Sequence, residues 1–286
     1  MSLTCNLSVR GMSLADLQLA LDWASAEGWN PGLFDAEPFL AADPRGFFLA
    51  EVDDRPVGSI SAVAYDDQFG FIGLYLVRPE LRGGRVGVEL GQTALEYLGQ
   101  RTIGLDGVLA KQENYRRLGF RPAYRTVRYE GTGPGPFRGV ESPAEFVDLR
   151  QLQLSELAAY DQTVFPTRRE AFLEAWIRQP GTVSLGVLRA GRLAGYAVAR
   201  PCRVGYKLGP LAADEPALAE VLMAGVIDLL AGETFFLDVP QPNQAAADLA
   251  RRYDMKPVFE TVRMYRGPEP KTDFQRVFGA TTMEIG

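Results

Sequence analysis

The feature that most constrains this chain is that it repeats itself. Residues 118–131 read LGFRPAYRTVRYEG and residues 253–267 read YDMKPVFETVRMYRG. Pro122 and Pro257 stand 135 positions apart, as do Thr126-Val127-Arg128 and Thr261-Val262-Arg263. Asp54-Arg55-Pro56-Val57-Gly58 matches Gly191-Arg192-Leu193-Ala194-Gly195 at an offset of 137, and Leu105-Asp106 matches Leu237-Asp238 at 132. Blocks kept in order at slightly drifting offsets describe a duplicated domain with small loop changes. Solenoid repeats have periods of only about 20–50 residues. A length of 286 residues also favours two domains. The expected division is a first unit over 1–130, a Gly- and Pro-rich linker over 131–143, a second unit over 144–267 and a docking tail over 268–286.

Each unit reads as helices interspersed among strands. Apolar residues at 14, 17, 20, 21 and 24 predict an amphipathic helix behind Ser13 as N-cap. Strands are expected over 47–52, 57–64, 70–77, 102–105 and 123–129, and further helices over 86–98 and 112–118. The second unit repeats the plan, with helices near 153–161, 168–178, 215–230 and 243–253. Its strands fall near 182–189, 193–200, 205–212, 234–238 and 258–265. The fold class is therefore α/β, a mixed sheet with helices on its faces, built twice. Trp23 and Trp176 sit at helical spacing and read as core, and Tyr75 as a core strand residue.

Composition narrows the chemistry. The chain has no histidine, which removes Ser-His-Asp and Cys-His nucleophiles, histidine bases and nearly all familiar zinc sites. No metal is expected. Cys5 and Cys202 are too few for a disulfide framework and read as reduced thiols. A net charge of −6 without a basic stripe speaks against nucleic acid. The apolar run at 221–231 is interrupted by Asp228 and is too short to span a bilayer. With no signal-peptide pattern at the start, the expected setting is cytoplasmic, away from membranes. The strand-to-helix turn Arg82-Gly83-Gly84-Arg85-Val86-Gly87 is the clearest ligand signal. Its glycines let successive backbone N–H groups face an anion, and the helix dipole and two arginines add favourable charge.

Further along stands Tyr115-Arg116-Arg117-Leu118-Gly119-Phe120. With this motif the sequence resembles the GNAT superfamily of N-acetyltransferases. In that superfamily a strand ending in Val-x-Pro runs into an Arg/Gln-x-x-Gly-x-Gly/Ala loop, and a later helix carries Tyr-x-x-x-Gly-Phe. Here these are Val77-Arg78-Pro79, Arg82 to Gly87, and Tyr115 to Phe120. Segments such as WNPGLFDAEPF (29–39) and LDVPQPN (237–243) resemble bacterial two-unit members, over essentially the whole chain. The resemblance implies two tandem acyl-CoA N-acyltransferase-like domains and acetyl-CoA as co-substrate.

It further implies direct transfer of the acetyl group to a primary amine. The loop Arg82, Gly83, Gly84, Arg85, Val86 and Gly87 would hold the pyrophosphate. Strand backbone near Leu76 and Val77 would stabilise the oxyanion, and Tyr115 would protonate the thiolate. Trp29, Asp35 and Glu37 would fall in the acceptor cleft. The base that helps an alkyl amine lose its proton stays open among Asp35, Glu37, Glu51 and a backbone-bound water. Arg85 stands where the family has glycine, so its side chain must point away or the loop must shift. The asparagine the family often carries seven residues before the tyrosine would fall at Val108, with Asn114 as a substitute.

The acceptor is expected to be a small-molecule amine. A protein amine, or a non-catalytic acyl-CoA sensor, are the alternatives. The second unit is expected to be degenerate. It carries Asp214-Glu215-Pro216 at the loop position, Ala250 at the position of Tyr115, and Asn243 as a remnant. One coenzyme per chain follows from that reading.

Overall fold

The computed structural model describes residues 6–133 and 145–286. Cys5 and most of the expected linker lie outside them. The first unit runs β1 (Leu7–Gly11), α1 (Leu14–Ala26), α2 (Ala36–Ala42), β2 (Phe47–Val52), β3 (Arg55–Ala64), β4 (Phe69–Val77), α3 (Arg85–Leu98), β5 (Thr102–Val108), α4 (Gln112–Arg117) and β6 (Arg121–Gly131). The second runs β7 (Glu145–Asp148), α5 (Leu154–Asp161), α6 (Glu170–Ile177), β8 (Val183–Arg189), β9 (Arg192–Pro201), β10 (Tyr206–Ala213), α7 (Pro216–Leu229), β11 (Phe235–Pro240), α8 (Gln244–Arg252) and β12 (Lys256–Arg266). The tail adds β13 (Val277–Gly279).

Every helix and strand expected from the sequence is present. The short β1, α2, β7 and β13 are additional, because three to seven residues carry too little periodicity to announce themselves. Ser13 closes a reciprocal capping box with Asp16 at the start of α1. α2 tolerates Pro38 because a first-turn residue has no intrahelical N–H bond to lose. Among the described residues no helix is long and apolar enough to cross a membrane.

The strands form one sheet in the order β1-β2-β3-β4-β5-β12-β6-β11-β10-β9-β8-β7, with β13 paired to β10. The two units exchange their last strands. β12 of the second unit enters between β5 and β6 of the first, and β6 in turn lies beside β11. Thr126 faces Thr261 across the β6–β12 ladder, so equivalent residues of the duplication meet at an approximate twofold axis. On either side of it the repeated arginines reach the other unit's aspartate. Arg128 Nε lies 2.6 Å from Asp238 Oδ1, and Arg263 Nε lies 2.8 Å from Asp106 Oδ1. Burial opposes charge at Asp238, yet Arg128 and its hydrogen bonds hold the carboxyl below its ordinary pKa.

The core also spans both units. Phe39 of α2 stacks between Phe47 of β2 and Trp176 of α6, at 6.5 and 6.3 Å between ring centroids. All three are fully buried, each contributing about 1.5–3 kcal/mol or somewhat more by leaving water. The units are thus two copies of one pattern that share a sheet and part of a core.

Two forks in the sheet matter for function. β4 and β5 run parallel and pair only over Phe69–Ile72 with Thr102–Leu105. β10 and β11 do the same over Tyr206–Leu208 with Phe235–Leu237. Beyond these residues each pair splays apart. In β4 the register breaks at Leu74, held at a positive φ of 43°, a backbone state that costs a non-glycine residue about 1–3 kcal/mol.

Candidate active site

The fork between β4 and β5 opens into a cavity of about 520 Å³. One wall is β4 from Ile72 to Val77, whose edge has no β5 partner beyond Ile72. Opposite lie Leu105, Asp106 and Val108 of β5 with Asn114 and Tyr115 of α4. The mouth carries Arg82, Gly83, Gly84, Gly87 and Val88, and the floor is made by Arg128, Phe259, Thr261, Met283 and Glu284. The floor therefore comes from the exchanged strands and the tail.

At the mouth, α3 starts behind Gly84, which has no side chain to cap it. The N–H groups of its first turn, from Arg85 to Gly87, lack intrahelical acceptors and sit at the positive end of the helix dipole. Gly83 adopts φ +77°, where a side chain is strained, and a Cβ at Gly87 would meet Tyr75 Oη at 2.9 Å. Tyr75 Oη in turn donates to the Gly87 carbonyl at 2.6 Å, fixing the loop from below. This cradle suits the pyrophosphate of coenzyme A: glycines, backbone donors and an arginine at a helix N-terminus. Arg85 points away. It is largely exposed, paired with Glu89 one turn along α3, and does not line the cavity. Val86 packs into the core beneath the loop. Arg82 ties the loop to its surroundings through the Val77 carbonyl and Glu27.

Tyr115 lines the cavity with its ring edge-on to Phe120, 6.3 Å between centroids. Gly107 makes the room, since a Cβ there would lie 2.8 Å from the tyrosine ring. Burial, with a smaller contribution from Tyr75, pushes the Tyr115 hydroxyl up to about 12. At neutral pH it is a proton donor.

Of the three residues expected in the acceptor cleft, Trp29 lines the cavity. Its carbonyl is gripped by Arg128 Nη1 at 2.9 Å and Lys207 Nζ at 3.1 Å. Asp35 requires correction. It is fully buried away from the cavity, with Oδ1 2.7 Å from Arg200 Nε, and Oδ2 accepts from the Gly32 N–H at 2.8 Å. Its charge locks the 30–36 turn to β9 of the second unit and is not available to an amine. Glu37 is corrected too, since it is exposed on the first turn of α2 and touches no part of the cavity. Glu51 lies on β2, paired with Arg10 at 2.8 Å, and also outside the cavity.

Sequence reasoning missed the carboxylate that does line the floor, Glu284. Burial works against its charge, but Lys207, Arg200 and Arg128 hold it below its ordinary pKa. Nothing in the periodicity of the tail marks it. Only the reading of 268–286 as a docking tail hinted that this part of the chain packs.

The second fork is closed. β13 pairs antiparallel with β10 through Leu211 and Ala212, and the Ala280 N–H donates to the Asp238 carbonyl of β11 at 2.8 Å. The tail thus fills the space that is open in the first unit, leaving about 50 Å³. Asn243 caps α8 through the Ala246 N–H and donates to the Val277 carbonyl at 3.0 Å, anchoring the tail. Among the described residues no cluster of three or more His, Cys, Asp or Glu is arranged to hold a metal. Cys202 is a buried free thiol, which burial pushes up.

Residues 14–120 match the model of the acetyltransferase (GNAT) family, and residues 157–279 match that of an acetyltransferase (GNAT) domain. The chain is 30% identical over 275 residues to holothin acyltransferase of Pseudoalteromonas sp. (strain SANK 73390), covering 96% of this chain and 92% of that protein. Among solved structures it resembles a Pyrococcus horikoshii protein assigned as an acetyltransferase, with a TM-score of 0.83 and 24% identity over 98% and 96% of the two chains. A GCN5-related N-acetyltransferase from Sphaerobacter thermophilus gives 0.63 at 18% identity, over 93% and 98%. A tandem GNAT protein of the clavulanic acid biosynthesis pathway gives 0.61 at 13%, over 92% and 100%. At such identities the structural likenesses speak for the fold, two units in tandem.

Proposed function

The chain belongs to the GNAT acetyltransferase family and is an acyltransferase, and from that premise we propose that it transfers an acetyl group from acetyl-CoA directly to a primary amine of a small molecule. The observation that carries this reading is the fork itself, a cavity of about 520 Å³ that joins the glycine loop to a wall of Phe259, Thr261, Met283 and Glu284, where a small acceptor can meet the coenzyme. The 30% identical relative is named for an acyl acceptor, holothin, which supports a defined acceptor here as well.

The bound thioester supplies an activated acyl carbon, and the chain's own groups do the rest. The first turn of α3 holds the diphosphate by backbone donors. The unpaired β4 edge around Leu76 and Val77 offers backbone dipoles to the oxyanion, an arrangement worth about 3–4 kcal/mol per donor. Tyr115, protonated at neutral pH, gives its proton to the departing sulfur. An alkyl amine with a pKa of about 10.4 is mostly protonated at pH 7, so it must reach the site neutral or lose its proton there.

The test is release of free thiol from acetyl-CoA across a panel of small amines, with a lysine peptide as a separate arm. Thiol release with small amines supports the reading. Release with the peptide alone turns the acceptor into a protein. Tight acetyl-CoA binding with no release in any arm makes the chain a sensor.

A further inference from the structure

We propose that Glu284, delivered by the C-terminal tail, is the amine-binding carboxylate of the cavity: its carboxylate accepts a hydrogen bond from the acceptor's amine and then takes the proton that the nitrogen gives up. This rests on the acyl-transfer reading above and adds the acceptor's anchor to it.

Three carboxylates line the cavity. Glu27, at the mouth, is engaged by Arg82. Asp106 has both oxygens occupied by the Arg263 fork, at 2.8 and 2.7 Å. Glu284 differs from both. Its Oε1 lies 3.5 Å from Lys207 Nζ, while its enclosed Oε2 has no hydrogen-bond partner. A carboxylate on the cavity wall whose nearest cation stands 3.5 Å away keeps capacity to accept, which a donor in the cavity can fill. An ionised carboxylate only accepts, which favours a ligand that donates, such as an amine, and disfavours a carboxylate or phosphate. The charges around it, Lys207, Arg128 and Arg200 against Asp238, keep it ionised.

The backbone holds this side chain in place from three directions. The Glu284 N–H donates to Thr282 Oγ1 at 3.0 Å, Ser61 Oγ donates to the Glu284 carbonyl at 3.2 Å, and Tyr65 Oη donates to the Ile285 carbonyl at 2.7 Å. The tail passes so close to β4 that a Cβ at Gly73 would stand 1.9 Å from the Glu284 carbonyl oxygen. Fixing a group in this way places it without a further entropy cost when the acceptor binds.

In the reaction the amine nitrogen bonds to the acyl carbon as the carbon–sulfur bond breaks. The nitrogen's proton passes to Glu284 and the proton of Tyr115 passes to the sulfur. Proton exchange through solvent then restores both groups.

The experiment titrates benzylamine and butylamine calorimetrically into protein saturated with CoA, using wild type, Glu284→Gln and Glu284→Asp, alongside thiol release with the same amines. Wild type binds amine, Glu284→Gln binds at least ~10-fold more weakly, and its kcat/KM falls ~10²-fold, while CoA affinity stays the same. Glu284→Asp keeps the charge beside Lys207 and guards against misfolding. It retains amine binding at a level between the other two. Equal binding by wild type and Glu284→Gln, or no amine binding by wild type, overturns the proposal. Binding that depends on Glu284 without thiol release sinks the acyl-transfer reading and leaves the subsite standing. Thiol release that is as efficient in Glu284→Gln does the reverse.

Discussion

The two forks of the sheet are built from equivalent residues and end in opposite states. Arg128, Phe259 and Thr261 line the first; Arg263, Tyr124 and Thr126, their counterparts at the 135-residue offset, line the second. The first encloses about 520 Å³ and the second about 50 Å³. Two things make the difference. In the first unit a glycine turn leaves the N-terminus of α3 open to an anion. In the second, Asp214 and Glu215 stand at the N-terminus of α7, paired with Arg276 and Arg189. The tail then occupies the second fork as a strand and continues into the first as its floor. A fold shared by both units says little about which one works; the contents of the fork decide it.

The comparison breaks most severely at Phe278, fully buried in the second unit's core on β13. Phe278→Ala should cost about 3–5 kcal/mol in urea unfolding, since the cavity left behind cannot easily collapse. A loss under 1 kcal/mol would mean that the tail is not an integral strand.

Next in size is the loop. Gly83→Val combined with Gly87→Val should abolish the thermal stabilisation given by acetyl-CoA, worth about 2.7 kcal/mol at a hundredfold excess over Kd. Calorimetry on the wild type should return one coenzyme per chain. Two equivalent sites would erase the distinction between the forks.

Tyr115→Phe keeps the ring against Phe120 and removes the hydroxyl, so turnover should fall ~10²-fold with coenzyme affinity unchanged. The pH profile sharpens this. Because burial raises the Tyr115 hydroxyl to about 12, the acid form persists well past pH 10. Turnover with an alkyl amine should rise with pH toward the amine's own pKa, and a decline beginning near pH 8 would remove Tyr115 from the acid's role.

The smallest effect belongs to Glu37→Gln. An exposed residue outside the cavity should move stability by no more than about 0.5 kcal/mol and leave amine kinetics alone. A large kinetic change would reopen the 29–39 segment as part of the acceptor site.

Local order was legible from the chain alone. The helices around Leu17 and Leu90, the strands on either side of Asp53-Asp54, the glycine turn and the duplication all rest on residues close in sequence, where period, capping and turn chemistry act. The glycine turn at the start of α3 was legible for the same reason, since one turn of helix and its glycines make it. The fate of Asp35 was not. A carboxylate in a loop between helices reads equally as cap, catalyst or ion-pair partner until Arg200, 165 positions away, is brought against it. The repeated arginines and aspartates were visible as repeats, but only the strand exchange makes Arg128 meet Asp238 and Arg263 meet Asp106. Glu284 reaches the cavity because the tail, after pairing with β10 as β13, runs on against β4 at Gly73. Such long-range pairings are selected by the total burial and ion pairing of the assembled sheet, and no window of neighbouring residues contains that energy.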